Sequence, residues 1–123
     1  MVESYRDLLA FRKACELAGK VYRLTDGYPP EERYNMINQM RRAAASIPMN
    51  IAEGYRRNSR KEYINFLTIA SGSCGELDAQ LIISRDIDLI TPEQYEKIHA
   101  DQRFVSILLG RLISALKRKN KGT

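Results

Sequence analysis

The chain has no tryptophan, one histidine, two cysteines and four prolines among its 123 residues, and each scarcity closes off a class of function. A single histidine, His99, rules out a histidine-rich metal centre within one subunit and weakens any serine–histidine or cysteine–histidine nucleophile. Cys15 and Cys74 lack the paired spacing of a zinc site. With no secretion signal in view, both are expected to be reduced and buried as small hydrophobic residues. No apolar run approaches the roughly 20 residues needed to span a bilayer. The first residues carry charge (Glu3, Arg6, Asp7) where a signal peptide would carry an apolar core. A cytoplasmic protein with no membrane partner is the expectation. There is no phosphate-cradling glycine loop or dinucleotide fingerprint, and neither Ser73 nor Cys74 sits in a nucleophile elbow. Glu96 and His99 have the Glu-x-x-His spacing of di-iron bundles, but one histidine cannot supply the second pair such a site needs. His99 is expected to be a partly exposed helix residue, and no catalytic residue, metal or cofactor is expected.

What is present is apolar periodicity. Hydrophobic residues make up 44% of the chain and charged residues 28%, a balance that folds as one domain over residues 1–123 around a single core. A first helix is expected over about Tyr5 to Leu24, with Leu8, Phe11, Cys15, Ala18 and Tyr22 on its inner face and Leu17, Val21 and Leu24 widening it. Gly27 and Pro29-Pro30 stop it. A second helix starts near Pro30, where proline is tolerated in a first turn. Its face is Ile37, Met40, Ala44, Ile47 and Ile51, it reaches about Arg57, and Pro48 inside it predicts a kink. Ser59 with Glu62 reads as a capping box that opens a third helix carrying Tyr63, Phe66, Ala70, Cys74, Leu77, Leu81 and Ser84. The low-bulk stretch around Gly72 and Gly75 predicts close approach by a neighbouring helix, since interior glycines cost about 1 kcal/mol each. Thr91-Pro92-Glu93-Gln94 combines an N-cap, a first-turn proline and a capping-box glutamine. The fourth helix then follows Tyr95, Ile98, Gln102, Val105, Leu109, Leu112 and Leu116. Short connections make consecutive helices antiparallel neighbours. The expected fold is an all-α, antiparallel, up-down four-helix bundle with a basic C-terminal tail from about residue 117.

Charge is segregated along the chain. Residues 41–61 carry six basic groups, Arg41, Arg42, Arg56, Arg57, Arg60 and Lys61, against Glu53 alone. Residues 62–101 carry eight acids against two bases, and residues 102–123 carry six bases and no acid. Blocks of one sign point to a polyanion or an acidic partner. The expected nucleic-acid-binding set is Arg41, Arg42, Arg56, Arg57, Arg60, Lys61, Lys117, Arg118, Lys119 and Lys121. The alternative is a protein-binding scaffold, in which the acidic stretch receives bases from a neighbouring subunit and charge serves assembly.

The most distinctive segment is Ser46-Ile47-Pro48-Met49-Asn50-Ile51-Ala52-Glu53-Gly54, preceded by Gln39-Met40-Arg41-Arg42-Ala43-Ala44. Together with the run from Glu62 to Ser73, Glu76-Leu77, Tyr22 and the Tyr28-Pro29-Pro30-Glu31-Glu32 turn, it resembles the four-helix bundle proteins encoded in bacterial 23S rRNA intervening sequences. Met49 stands where that family usually has a small residue, and Asp86-Ile87-Asp88-Leu89-Ile90 replaces its usual Leu-Gly-Tyr-Ile turn. The resemblance implies a bundle assembled as a ring-shaped homopentamer. The family is also similar to the accessory variability proteins of diversity-generating retroelements, basic pentamers that bind nucleic acid and a reverse transcriptase. It implies no catalytic residue. The hallmark residues Ser46, Pro48, Asn50, Glu53 and Gly54 have a structural reading of their own. Asn50 is placed to satisfy the Ala44 carbonyl that Pro48 leaves without a donor, and Glu53 to pair with Arg41, Arg42 or Arg57.

Overall fold

Residues 4–121 are described by a computed structural model, apart from the side chains of Asp7, Asn120 and Lys121. Four helices, α1 (Leu9–Thr25), α2 (Asn38–Tyr55), α3 (Arg60–Asp86) and α4 (Pro92–Lys121), form an antiparallel bundle. α2 packs on α1 and α3, and α4 packs on α3 and α1. Among the described residues there is no strand, and no helix is long and apolar enough to cross a membrane.

The helix starts follow the capping chemistry written in the chain. Ser59 is extended at φ −115° and ψ 144°, and its hydroxyl accepts from the Glu62 amide at 3.0 Å. Thr91 and Gln94 close a reciprocal box: the Gln94 amide donates to Thr91 Oγ1 at 3.1 Å, and the Thr91 amide donates to Gln94 Oε1 at 2.8 Å. Each satisfies amides that the first turn of a helix leaves without carbonyl partners. The approach to α2 is irregular. A 3₁₀ turn at Pro30–Glu32 leads into a π turn at Arg33–Ile37, and only then does α2 begin. Pro48 lies inside α2 and is buried. Between α3 and α4, Asp88 adopts φ 63°, a left-handed conformation that aspartate tolerates better than most side chains. The Leu89 amide then donates back to the Ser84 carbonyl at 2.8 Å, closing α3.

The expected inner faces of α2, α3 and α4 are the buried ones. Met40, Ala44, Ile47 and Ile51 meet Ala70, Cys74, Leu77 and Leu81, with Ile98, Val105 and Leu109 from α4. The face expected of α1 is rotated from the real one. Ala10, Ala14, Leu17, Val21 and Thr25 are buried, whereas Cys15 and Tyr22 are exposed and Leu8, Phe11 and Ala18 lie at the margin. Leu17 and Val21 were expected on the inner face and are there, whereas Ala10, Ala14 and Thr25 are small residues that a weighting toward bulk passes over. Ala43 and Ala44 of α2 are buried as well, and pairs of alanines let two helices lie close. α1 is also shorter than expected, since Tyr5–Asp7 form a separate 3₁₀ turn before an extended Leu8.

A second correction concerns glycine. Gly72 and Gly75 are exposed, and a Cβ on either would meet nothing within 4 Å. The close approach falls at Gly54, where an added Cβ would stand 2.7 Å from Phe66 Cβ and 3.2 Å from the Tyr63 carbonyl oxygen. Gly54→Ala is therefore expected to destabilise the bundle by about 1–3 kcal/mol through overpacking. Gly72→Ala, in open space on a helix, is expected to stabilise it by up to about 1 kcal/mol. Urea unfolding followed by circular dichroism reads both as shifts in midpoint at constant slope. Equal midpoints for the two variants would show that the α2–α3 contact does not depend on Gly54.

Candidate nucleic-acid interface

Three contacts set how the helices are aligned along the bundle axis. Ser46 Oγ lies 2.9 Å from Ser73 Oγ, tying α2 to α3. Gln102 Nε2 donates to the Cys74 carbonyl at 3.0 Å, tying α3 to α4. Lys20 Nζ meets Asp101 Oδ2 at 2.8 Å, tying α1 to α4. The first two have a direct consequence for charge. Fourteen residues back along α3 from Cys74 is Arg60, and fourteen residues on along α4 from Gln102 is Leu116, about 21 Å away in both cases. Ten residues on from Ser46 is Arg56, just past the end of α2. Arg56, Arg57, Arg60, Lys61, Lys117, Arg118 and Lys119 therefore gather at one pole, joined by the acids Glu53 and Glu62.

These cations are not equivalent. Arg57 pairs with Glu53 one turn earlier, and its guanidinium carbon lies 4.8 Å from the centre of the Phe66 ring, so its charge is partly committed. Arg56, Lys61, Lys117, Arg118 and Lys119 are exposed. α4 stays helical through the final block to Lys121, so its cations ride on ordered turns rather than a loose tail; the Lys121 side chain lies outside the described residues. Arg111, which the expected set omitted, joins Arg118 in lining a groove of about 450 Å³ with Ile107, Gly110 and Ser114. Its seven-residue spacing from Arg118 was the signal, since two helical turns return to the same face.

Arg41 and Arg42 do not belong to the pole. They sit near the start of α2, fourteen residues before Tyr55 and Arg56 respectively, or about 21 Å away. Arg41 is occupied in closing α1. Its Nε donates to Thr25 Oγ1 at 2.8 Å, and one terminal nitrogen donates to the Tyr22 carbonyl at 3.2 Å and to Asp26 Oδ1 at 2.8 Å. The guanidinium also covers the Tyr22 ring at 4.8 Å. A cation at a helix C-terminus meets the negative end of the dipole, and here it adds a second donor to the Tyr22 carbonyl, which also accepts from the Asp26 amide. Of the three partners expected for Glu53, the one it takes is Arg57.

The hallmark segment serves the α2–α3 seam. Asn50 Nδ2 donates to the Ser46 carbonyl at 2.8 Å and to Ser46 Oγ at 2.9 Å, which steadies the hydroxyl facing Ser73. It does not reach the Ala44 carbonyl, because an asparagine side chain folds back one turn and finds the residue four before it. Pro48 and Gly54 fill the buried side of the same helix. Elsewhere the reactive groups are muted. Burial pushes the Cys74 thiol up, with hydrogen bonds from Gln102 and Ser106 opposing, while Cys15 is exposed and also pushed up by partial burial. His99 stacks on Tyr95 at 5.1 Å, with Nε2 3.6 Å from Asp78 Oδ1. Among the described residues no group of three potential ligands could hold a metal ion.

Residues 6–111 match the family model described as 23S rRNA-intervening sequence protein. Among solved structures, the chain is similar to a Bacteroides thetaiotaomicron protein of unknown function from the S23 ribosomal protein family. The two share 31% sequence identity with a TM-score of 0.81, over 86% of this chain and 96% of that one. No curated protein matches the chain.

The pole carries one group whose titration is readable. Tyr63 packs edge-on against Tyr55 with ring centroids 5.9 Å apart, and burial, aided by Tyr55, pushes its phenol up to about 12. The fold thus favours the neutral phenol. That contribution is complete below the ordinary tyrosine value of about 10 and is lost as pH rises toward the folded value. Urea unfolding between pH 8 and pH 12, in roughly half-unit steps, is expected to show a loss of stability beginning near pH 10 that is smaller in Tyr63→Phe. Identical slopes in the two proteins would show that the phenol is not held neutral by the fold.

Proposed function

The chain belongs to the 23S rRNA-intervening sequence protein family, and from that premise we propose that it is a non-enzymatic, cytoplasmic homo-oligomer that binds nucleic acid through its basic pole. The observation that carries this reading is the pole itself: seven cations from three helix ends, most of them exposed, accompanied by Glu53 and Glu62. Such a surface neutralises phosphates of RNA or DNA without reading bases. The aromatic residues nearest the pole, Tyr55 and Tyr63, are part-buried and paired with each other, so stacking on bases adds little.

Oligomerisation belongs to the same proposal. The helices expose Leu9, Met49, Ile69, Ile83, Phe104 and Ile107, apolar surface that a further copy would cover. Five copies in a ring would repeat the pole five times, and tethered weak contacts multiply. Charge serving assembly is the second reading. It draws on Asp86, Asp88 and Glu93, all exposed at the opposite end of the bundle from the pole.

Light scattering behind a sizing column is expected to return about five times the 14.1 kDa chain mass; a concentration-independent monomer would refute self-association. Affinity for RNA and DNA is expected to fall with salt, with a log–log slope growing by roughly 0.7–0.9 per phosphate neutralised. Reversing Arg56, Arg57, Lys117 and Lys119 to glutamate is expected to weaken binding about tenfold or more while the protein stays helical. Salt-independent binding, or unchanged binding by the reversed oligomer, would remove the nucleic-acid reading. Loss of the oligomer in that variant would instead support charge-driven assembly.

A further inference from the structure

Where the end of α1 lies against the first turns of α4, the seam between them carries a second cationic site that the basic pole does not include. α1 packs less extensively on α4 than the other neighbouring helices pack on one another, and the seam opens there into a groove of about 380 Å³. It is lined by Lys20, Arg23 and Leu24 from α1 and by Gln94, Lys97, Ile98 and Asp101 from α4. Leu24 and Ile98 form an apolar floor, and the three cations stand on both walls. Asp101 is committed to Lys20 at 2.8 Å. Neither Arg23 nor Lys97 has an acidic partner among the described residues. Arg23 lies back over Gly19, where an added Cβ would be 3.4 Å from its terminal nitrogen, an ordinary contact distance. Lys97 is one of only two bases in the acidic stretch 62–101, so its place beside Arg23 runs against the local charge trend. Some twenty residues of α4, or about 30 Å, separate it from Lys117.

From this arrangement we propose that the α1–α4 groove binds a short acidic, amphipathic segment of a partner protein, with apolar side chains on Leu24 and Ile98 and carboxylates on Arg23 and Lys97. Charge complementarity sets the sign of the occupant, and the apolar floor sets its second property. Gln94 to Asp101 spans seven residues, so the groove is about 10 Å, or two helical turns, long. An amphipathic helix meets such a surface with apolar residues one turn apart and charges beside them. The groove lies open to solvent along its length, so a small molecule would leave much of its surface wet, whereas a longer segment continues past both ends. A nucleic acid is the poorer fit. No aromatic residue lines the groove to stack a base, and only two of its cations are free of an acid, against the larger set at the pole.

The test uses the full chain and a fluorescein-labelled helical peptide carrying leucines one turn apart flanked by glutamates, with a glutamine-for-glutamate peptide as control. Anisotropy at low salt is expected to show binding of the acidic peptide alone, and amide chemical shifts are expected to move around Lys20–Leu24 and Gln94–Asp101. Arg23→Glu with Lys97→Glu is expected to weaken binding about tenfold or more, whereas Lys117→Glu with Lys119→Glu leaves it unchanged. The same pairs titrated with RNA should behave in reverse, so failure at the groove and failure at the pole are read separately. Equal binding of both peptides, no shifts in the groove up to millimolar peptide, displacement of the peptide by RNA, or unchanged binding by a folded Arg23→Glu/Lys97→Glu protein would each overturn the proposal.

Discussion

A Cβ on residue 54 would stand 2.7 Å from Phe66 Cβ, so the last turn of α2 can lie where it does on α3 only as glycine. That approach brings the two helices together beside their shared junction, and Ser46 with Ser73 ties them again further along. Side chains in a close-packed core have few arrangements of equal energy. Once α2 and α3 are set, Cys74 and Gln102 align α4 against α3 through a buried side chain-to-backbone bond. The gathering of Arg56, Arg60 and Lys117 at one pole is a downstream effect of these contacts.

The hallmark segment gains a physical meaning in this light. Asn50 secures Ser46, Glu53 holds Arg57, and Gly54 admits Phe66, so the hallmark residues work on the seam between two helices. Charge along the bundle is then polar in the geometric sense, with bases at the α2–α3 junction and acids at the α3–α4 turn. The α1–α4 groove is an exception to that gradient, with Arg23 and Lys97 facing each other across a seam that the core leaves open.

The four helices, their order and most of their stops were legible in the chain, because capping boxes and apolar periodicity are local signals that need only neighbouring residues. Ser59 and Thr91 cap where their side chains could reach, and Met40, Ile47, Leu77 and Leu109 are buried where the period of the helix puts them. The segregation of charge into blocks was equally a property of the sequence. It did not tell which blocks meet.

Tertiary structure decided what depends on partners from elsewhere in the chain. The inner face of α1 takes in Ala10, Ala14 and Thr25 beside Leu17 and Val21, which no count of bulky residues along α1 alone could show. Arg41 is held at the end of α1, away from the other basic residues, because Thr25 and Asp26 come within reach only after the chain has turned back on itself. Gly54 rather than Gly72 proved to be the glycine that the fold requires, since a missing side chain matters only where another atom occupies its place. Local chemistry determines which elements form; excluded volume between elements determines which of their faces, and which of their charges, end up together.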